Sequence, residues 1–219
     1  LWAPATTGYT PDNENEFIRG GNILLRDLQR YGRLRNNSTL LDLGCGYGRL
    51  AHALLRKTNY LGRYTGIDIQ PPVISWCHQH LGGSSRRFTF DCLDDYHALY
   101  HPNGKELIRP RRLPYASQGF DCIAAFGFFT HLHESEQLHY WQEIHRLLKP
   151  GGCCTVTHYL HSINDRMLTP RQRPKIPSPH RIDAHTYTCS IVEPLKRVVV
   201  EEGWWLQWLE SLGLRLLRK

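Results

Sequence analysis

The sequence lacks the hydrophobic run that a membrane-spanning helix requires. No apolar stretch in its 219 residues approaches the roughly 20 residues needed to cross a bilayer, and no secretory signal peptide is visible. Because the chain begins at Leu1 rather than at methionine, the missing signal says little by itself about where the protein resides.

The sequence also lacks any Cys-x-x-Cys pair. Its seven cysteines form no regular disulfide or zinc-binding framework, and several lie in predicted strands. A free thiol in a strand behaves as a small hydrophobic side chain. We therefore expect a reduced, cytoplasmic protein.

The charge of the chain is basic but does not identify a partner. The net charge is +7, with much of the excess in residues 109–112 and 171–175. Both runs contain proline, which favours solvated loops over a built anion site, although a nucleic-acid partner remains open. The length and the 41% hydrophobic content suit one α/β domain with a substantial core.

A glycine-rich stretch at residues 40–50 is the most informative part of the sequence. Leucines at 40, 41 and 43 predict a buried strand, and helical spacing resumes at Leu50. Between them, Gly44, Gly46 and Gly48 alternate with other residues. Glycine lets a ligand approach the main chain, and the following helix would point free N–H groups at that ligand.

Three kinds of ligand loop can be compared with this stretch. A dinucleotide fingerprint, G-x-G-x-x-G, fails because Arg49 stands where its third glycine belongs. A P-loop fails because the Gly-Lys-Ser/Thr ending is missing. The third is the E/D-x-G-x-G-x-G loop of class I S-adenosylmethionine (SAM) methyltransferases, which Asp42 and the three glycines match. A glycine turn without any ligand is the remaining alternative.

Strands and helices alternate along most of the chain. This alternation predicts an α/β, Rossmann-like, doubly wound and mostly parallel sheet with helices on both faces. Residues 214–217 look like the start of a strand with no room for another, so we expect the C-terminal strand of the sheet to be missing. The predicted strands are 39–43, 64–69, 88–90, 120–126 and 153–159, and the predicted helices are 17–31, 47–57, 73–81, 134–149 and 201–212.

Irregular segments interrupt this pattern. We expect residues 1–38 to form an N-terminal segment with a lid-like helix, followed by a SAM-binding domain at 39–219 that carries an irregular insertion at 160–200. Residues 92–118 form another long irregular connection, which is more often functional than idle. These irregular segments are expected to determine substrate specificity.

Polar residues gather at the predicted carboxyl ends of the strands, where ligands of open α/β sheets bind. Asp68, twenty residues past Gly48, could accept hydrogen bonds from vicinal ribose hydroxyls in either NAD or SAM. Asp91 could accept the adenine amino group, or could instead cap a turn. The 127–131 loop ends the fourth strand.

Five motifs in order make the resemblance specific. The chain resembles class I SAM-dependent methyltransferases over about residues 38–160, with a weaker likeness at 201–217. Within that superfamily, Trp76-Cys77, residues 100–104 and Phe-Thr-His look similar to small bacterial enzymes associated with sugar or polysaccharide modification. The motifs are Asp42-x-Gly-Cys-Gly-Tyr-Gly, Gly66-Ile-Asp68, Phe120-Asp-Cys-Ile, Phe129-Thr-His-Leu132 and Glu143-Ile-His-Arg-Leu-Leu-Lys-Pro-Gly-Gly152.

The resemblance implies a cofactor, SAM, and a role for each matching residue. The glycine loop would hold the methionine part, Asp68 the ribose, and the end of the third strand the adenine. The 127–128 main chain would close over the methionine end. The implied cofactor-binding residues are Asp42, Gly44, Cys45, Gly46, Gly48, Asp68, Ile69, Asp91, Cys92, Gly127 and Phe128.

A hydroxyl acceptor would benefit from a general base, and several side chains near the ends of strands four and five could act as one. A histidine at position 131 could instead brace its loop. The pairs His131-x-His133 and His158-x-x-His161 lack accompanying carboxylates or cysteines at metal-binding spacing, so no metal site is predicted. The candidate catalytic residues are His131, Glu134, His158 and Tyr159, with His161 nearby.

The favoured function is O-methylation of a small molecule or glycan by a SAM-dependent enzyme. A nucleic-acid substrate is the first alternative, but the chain lacks the Asn/Asp-Pro-Pro-Tyr of adenine enzymes and the Pro-Cys of five-carbon cytosine enzymes. A catalytically inactive SAM-binding domain is the second alternative, although the intact loop, Asp68 and Asp91 argue against it.

Overall fold

The computed structural model describes residues 14–57, 59–82, 86–107, 110–161 and 180–217. These residues form two compact units, the first within 1–126 and 146–156, the second within 127–145 and 157–219. None of the helices in these described ranges is long and apolar enough to cross a membrane. All seven cysteines fall in the described ranges, and each is a free thiol.

The first unit is built on a five-stranded sheet whose order is β3-β2-β1-β4-β5, with every pair of neighbours parallel. This is the Rossmann-like arrangement predicted from the alternation of elements. Its elements are α1 (Glu14–Arg30), β1 (Thr39–Leu43), α2 (Arg49–Lys57), β2 (Arg63–Asp68), α3 (Pro71–His80), β3 (Phe88–Cys92), β4 (Phe120–Ala125), the end of α4 (Glu134–Leu147) and β5 (Leu148–Val156).

The leucines before the glycine loop explain why β1 is central. Leu40, Leu41 and Leu43 are each 0% exposed, so both faces of the strand are covered. The chain runs from β1 outward to β3 and then returns to β4 beside β1. The strand order therefore reverses between β1 and β4, which places the expected ligand crevice at their carboxyl ends.

Strand β5 differs from its prediction at both ends. It begins at Leu148, within the range of the predicted helix 134–149, and includes Pro150 and Gly152, which precede the predicted strand. The parallel partner explains the difference, since Phe120 of β4 pairs with Leu148 across an irregularity in the ladder. The predicted strand at 153–159 is therefore wrong in its bounds, because β5 ends at Val156.

The second unit contains a small mixed sheet that the sequence analysis missed. Its strand order is β6-β9-β8-β7. The expectation that residues 160–200 are irregular is therefore wrong for the residues that the structure describes. Residues 162–179 lie outside the described ranges. Strands of two to four residues carry too little periodicity to be predicted. Besides most of α4, the elements are β6 (Tyr159–His161), β7 (His180–Arg181), β8 (Thr186–Thr188), β9 (Val198–Glu201) and α5 (Glu202–Ser211).

The C-terminal strand expected at residues 214–217 is also wrong. These residues follow α5 without regular structure. Leu216 and Leu217 are 41% and 48% exposed. A strand needs a neighbouring strand, and the ladders among the described residues include none here.

Aromatic side chains form the core of the second unit. Phe129 stacks on Trp141 at 4.7 Å between ring centroids and on the His158 imidazole at 5.5 Å. Trp205 lies 5.3 Å from His158 and 5.8 Å from Trp141. Both ring nitrogens of His158 are buried, and the backbone of Tyr159 only partly opposes the effect of that burial on the His158 pKa. Burial lowers the pKa of His158 to about 4, because the charged form would lose its hydration.

This burial predicts acid sensitivity. In the unfolded chain His158 binds a proton with a pKa near 6.5, whereas in the folded protein it does so only near pH 4. The free energy of unfolding therefore falls as the pH drops from 6.5 to 4. The loss should reach about 3 kcal/mol, from a shift of 2–3 pKa units at 1.36 kcal/mol each. Urea unfolding of wild type and His158→Phe at pH 7.5 and 4.5 measures it. The phenylalanine variant should gain relative stability at pH 4.5, and an equal difference at both pH values would contradict this account.

Candidate active site

The glycine loop between β1 and α2 takes a backbone conformation that suits its residues. Gly44, Gly46 and Gly48 have φ angles of 69°, 52° and 71°, in the left-handed region that side chains disfavour. A Cβ added at Gly48 would lie 2.5 Å from the Leu81 side chain, so a larger residue here would displace Leu81 as well as strain the backbone. A Cβ added at Gly46 would meet no atom within 4 Å. Gly46 therefore leaves open space at the surface where a ligand would approach.

Asp68, at the end of β2, is joined to this loop. Its Oδ2 accepts the Gly46 N–H at 3.0 Å and its Oδ1 accepts the Gln70 N–H at 3.1 Å. Burial raises the pKa of Asp68, and these backbone donors oppose the rise. The Ile69 N–H and the Gln70 side chain also contribute hydrogen bonds to this carboxylate. A carboxylate has about four acceptor sites in all, which is why it suits a ribose diol. Asp68 thus braces the loop, a role that sequence reasoning missed because Gly46 lies 22 residues away.

Asp42 lies at the other side of the loop, within β1. Its side chain is buried, with 4% of the residue exposed, and its Oδ2 accepts the Tyr64 hydroxyl at 2.7 Å. Burial raises the pKa of Asp42 to about 7. The nearby Arg49 charge and the Tyr64 hydrogen bond act in the opposite direction. A positively charged group close to Asp42, such as the SAM ammonium, would offset the same desolvation. The role of Asp42 near that ammonium group stays a prediction.

Two thiols lie beneath the loop. Cys45 and Cys77 are buried, and their sulfur atoms lie 3.5 Å and 3.4 Å from the Gly46 carbonyl oxygen. A hydrogen bond with the neighbouring Cys77 thiol, and then burial, raise the pKa of Cys45 well above its ordinary value. Cys45 therefore stays a neutral thiol that supports the loop.

The end of β3 carries the predicted adenine contacts. Asp91 is partly buried and its Oδ2 accepts the Tyr115 hydroxyl at 2.6 Å. Cys92 is exposed and pairs in the ladder with Asp68, while Ile69 is partly buried beside it. The first unit therefore brings the loop, Asp68 and the end of β3 to one edge of its sheet, as predicted.

Gly127 and Phe128 begin the second unit, directly after β4. Gly127 has a φ of 75°, and a Cβ there would meet no atom within 4 Å. Its N–H donates to the Thr157 hydroxyl at 2.6 Å. Phe128 packs edge-to-face on Tyr140 at 4.8 Å between centroids. These contacts fix the start of the turn that leads to His131.

A hydrogen bond to the backbone orients the ring of His131. Nδ1 lies 2.9 Å from the Leu195 carbonyl oxygen, which can only accept. Nδ1 therefore carries the proton and Nε2 of the neutral ring carries the lone pair. The same contact braces the 129–131 turn against residues 194–196, which fits the predicted bracing role. The role of His131 as a general base stays a prediction.

Glu134 forms a carboxylate–imidazole pair that the sequence analysis did not anticipate. It accepts the His185 backbone N–H at 2.6 Å, and its other oxygen lies 3.2 Å from His185 Nδ1. The His185 ring stacks on Trp204 at 4.5 Å with only 5° between the planes. Nε2 of the neutral His185 ring is thus the acceptor nitrogen. A separation of 51 residues leaves no local signal for this pair.

The remaining candidates have different surroundings. His158 is held in the aromatic core, where a pKa of about 4 makes it a weak base at neutral pH. Tyr159 is 40% exposed, with the Arg197 guanidinium 5.1 Å above its ring. Nδ1 of His133 lies 3.3 Å from Asp183. Among the described residues, no group of three or more His, Cys, Asp or Glu is arranged to hold a metal ion.

Comparison with known proteins identifies the family. A family described as "Methyltransferase domain" matches residues 40–152, slightly more than half of the chain. The chain belongs to this methyltransferase family. It is therefore a member of a family of enzymes for which SAM is the methyl donor, and the glycine loop and Asp68 fit that donor.

A curated relative agrees at lower similarity. The methyltransferase GfsG of Streptomyces halstedii is 26% identical over 147 residues, which are 66% of this chain and 47% of that protein. The chain thus spans about half the length of the relative it matches. The narrower likeness to sugar- and polysaccharide-associated enzymes has no support in these comparisons.

Solved structures confirm the fold. The [4+2]-cyclase SpnF is 21% identical and aligns with a TM-score of 0.60 over 99% of this chain and 65% of its own. The Burkholderia thailandensis 1,6-didemethyltoxoflavin-N1-methyltransferase, solved with its substrate and S-adenosylhomocysteine, is 19% identical, with a TM-score of 0.53 over 91% and 68% of the two chains. One neighbour is a cyclase and another an N-methyltransferase, so the fold does not determine the reaction.

Proposed function

We propose that the protein transfers the SAM methyl group to an oxygen atom of a small molecule or glycan. The observation that carries this proposal is the 2.9 Å contact between His131 Nδ1 and the Leu195 carbonyl oxygen. Because a carbonyl oxygen can only accept, we assign the proton of the neutral ring to Nδ1 and the lone pair to Nε2. A hydroxyl attacks an electrophile better as its proton leaves, and a neutral imidazole with a lone pair on Nε2 can accept that proton.

Residues of the first unit would hold the cofactor. The left-handed glycine loop leaves room at Gly46 for the methionine part, Asp68 offers acceptors to the ribose, and Asp91 offers one to the adenine amino group. When bound, SAM supplies an electrophilic methyl group, and alignment of the acceptor then accounts for much of the rate. The chain's task is to fix positions and to accept a proton.

The second unit offers two ways to accept that proton. His131 is held through Nδ1 by a carbonyl, and His185 is held through Nδ1 by Glu134. Glu134 would then act by orienting the imidazole, since both of its oxygens bond to His185. Tyr159 and His158 are weaker candidates for the general base. Tyr159 is exposed, and His158 is buried with a lowered pKa.

The acceptor can be sought by product chemistry. Purified protein and SAM are incubated with separate panels of monosaccharides and oligosaccharides, of phenols and other alcohols, of amines, and of transfer and ribosomal RNA. S-adenosylhomocysteine formation is then followed by mass spectrometry. We expect turnover with a hydroxylated small molecule or glycan, and a methyl ether in the product. A methylated amine or RNA base as the preferred product would overturn the proposal.

A further inference from the structure

We propose that Tyr115 is a positioning residue for adenine recognition, holding Asp91 so that its carboxylate can accept the amino group of the cofactor's base. This inference rests on the assignment of Asp91 to the adenine end, and it names a residue outside every recognised motif. The key contact is a hydrogen bond of 2.6 Å from the Tyr115 hydroxyl to Asp91 Oδ2.

The donor in this contact is well defined. Burial, and then the hydrogen bond to Asp91, raise the pKa of Tyr115 far above the ordinary value for a phenol. The phenol therefore remains protonated at every physiological pH and donates, while the carboxylate accepts. Charge-assisted bonds of this kind are short and strong.

The bond leaves the carboxylate half engaged. Among the described residues the structure records no other side-chain hydrogen bond to Asp91, so Oδ1 is the oxygen available to a ligand. An aspartate side chain rotates broadly about its last torsion when nothing holds it. With Oδ2 fixed by Tyr115, the direction of Oδ1 is fixed as well. Oδ1 can then accept a hydrogen bond from the amino group of a planar base.

Tyr115 itself is anchored by its neighbours. Its ring packs edge-to-face on Phe120 at 5.6 Å between centroids. The Arg146 guanidinium donates to the Tyr115 carbonyl at 2.7 Å and to the Leu113 carbonyl at 3.0 Å. Arg111 donates twice to one oxygen of Asp95, at 2.9 Å and 2.6 Å. The Gln118 N–H, after Tyr115, donates to the Arg146 carbonyl at 2.9 Å, so the segment before β4 is tied down on both sides of Tyr115.

The chemistry of the base makes the inference testable without any methyl acceptor. Adenine presents an amino donor at its six position, whereas hypoxanthine presents a carbonyl acceptor there. A carboxylate oriented toward that position should favour the first and repel the second. The probes are S-adenosylhomocysteine and its inosine analogue, S-inosylhomocysteine, each titrated by calorimetry.

The Tyr115→Phe variant removes only the hydroxyl. We expect its affinity for S-adenosylhomocysteine to fall about 5- to 30-fold, the range for one charge-assisted hydrogen bond acting indirectly, with little change for the inosine analogue. The preference for adenine should therefore shrink. Equal losses for both probes would mean that the hydroxyl only stabilises the fold, and no change for either would also overturn the inference.

A matched control and a double mutant complete the test. Tyr60→Phe also removes a buried hydroxyl with a 2.6 Å hydrogen bond, to the Ser38 carbonyl, and should leave the ratio of the two affinities unchanged. In an Asp91→Ala background, Tyr115→Phe should cause no further loss for S-adenosylhomocysteine, since the two residues act together. If the losses of affinity in the two single variants add in the double variant, Tyr115 and Asp91 act independently and the inference is wrong. An Asp91→Ala protein with full adenine preference would reject the site assignment and leave the O-methylation proposal standing.

Discussion

Replacement of Asp68 by alanine should weaken SAM binding by about 2–4 kcal/mol, or about 30- to 700-fold. Two hydrogen bonds from ribose hydroxyls to a carboxylate would be lost, at roughly 1.5–3 kcal/mol each before compensation. The structure adds a second cause. Asp68 also accepts the Gly46 N–H, so its loss releases the loop that would hold the methionine part of the cofactor. Calorimetric titration with SAM and with S-adenosylhomocysteine measures the effect.

A second aspartate provides the control for this experiment. Asp121, near the start of β4, accepts the Thr39 N–H at 2.7 Å and the Lys149 ammonium at 2.8 Å. Asp121→Ala should therefore cost stability, as Asp68→Ala also should, but leave SAM affinity unaltered. An Asp68→Ala protein that folds and binds SAM with wild-type affinity would show that the ribose is held elsewhere. The contrast separates cofactor binding from general loosening of the sheet.

The first unit could be predicted well because the sequence signals for its strands are local. The fully buried leucines of β1 and the turn at the glycine loop are local features, and Thr39–Leu43 has the predicted bounds. The carboxyl ends of parallel strands lie at one edge of the sheet by geometry alone, so Asp68 and Asp91 could be placed before any coordinates. The family match then confirmed SAM as the cofactor.

Long-range pairs could not be predicted in the same way. The Tyr64 hydroxyl on Asp42, the Tyr115 hydroxyl on Asp91 and the Glu134–His185 pair join residues 22 to 51 positions apart. No periodicity or spacing records which of several polar side chains will meet across such distances. The same limit explains the missed sheet of β6 to β9, where each short strand exists only through its partners.

His131 presents the sharpest question about mechanism, because its two ring nitrogens can be tested separately. Its Nδ1–H braces the turn by donating to the Leu195 carbonyl, while Nε2 would accept the proton of the acceptor hydroxyl. Asparagine places an amide N–H near the position of Nδ1 and has no counterpart of Nε2. His131→Asn can therefore keep the brace and remove the base.

We expect His131→Asn to lower the single-turnover rate of methyl transfer by about 10²–10⁴, the range for general acid–base catalysis, with SAM affinity and thermal stability retained. His131→Ala should lose the same rate and, in addition, stability, because the Leu195 carbonyl then loses the hydrogen bond from His131. The rates are measured at saturating SAM with the acceptor found in the panels above. A His131→Asn protein with an unchanged rate would leave His131 as a brace only. The role of proton acceptor would then be assigned to His185, whose Nδ1 faces Glu134. In that case His185→Asn should lower the single-turnover rate.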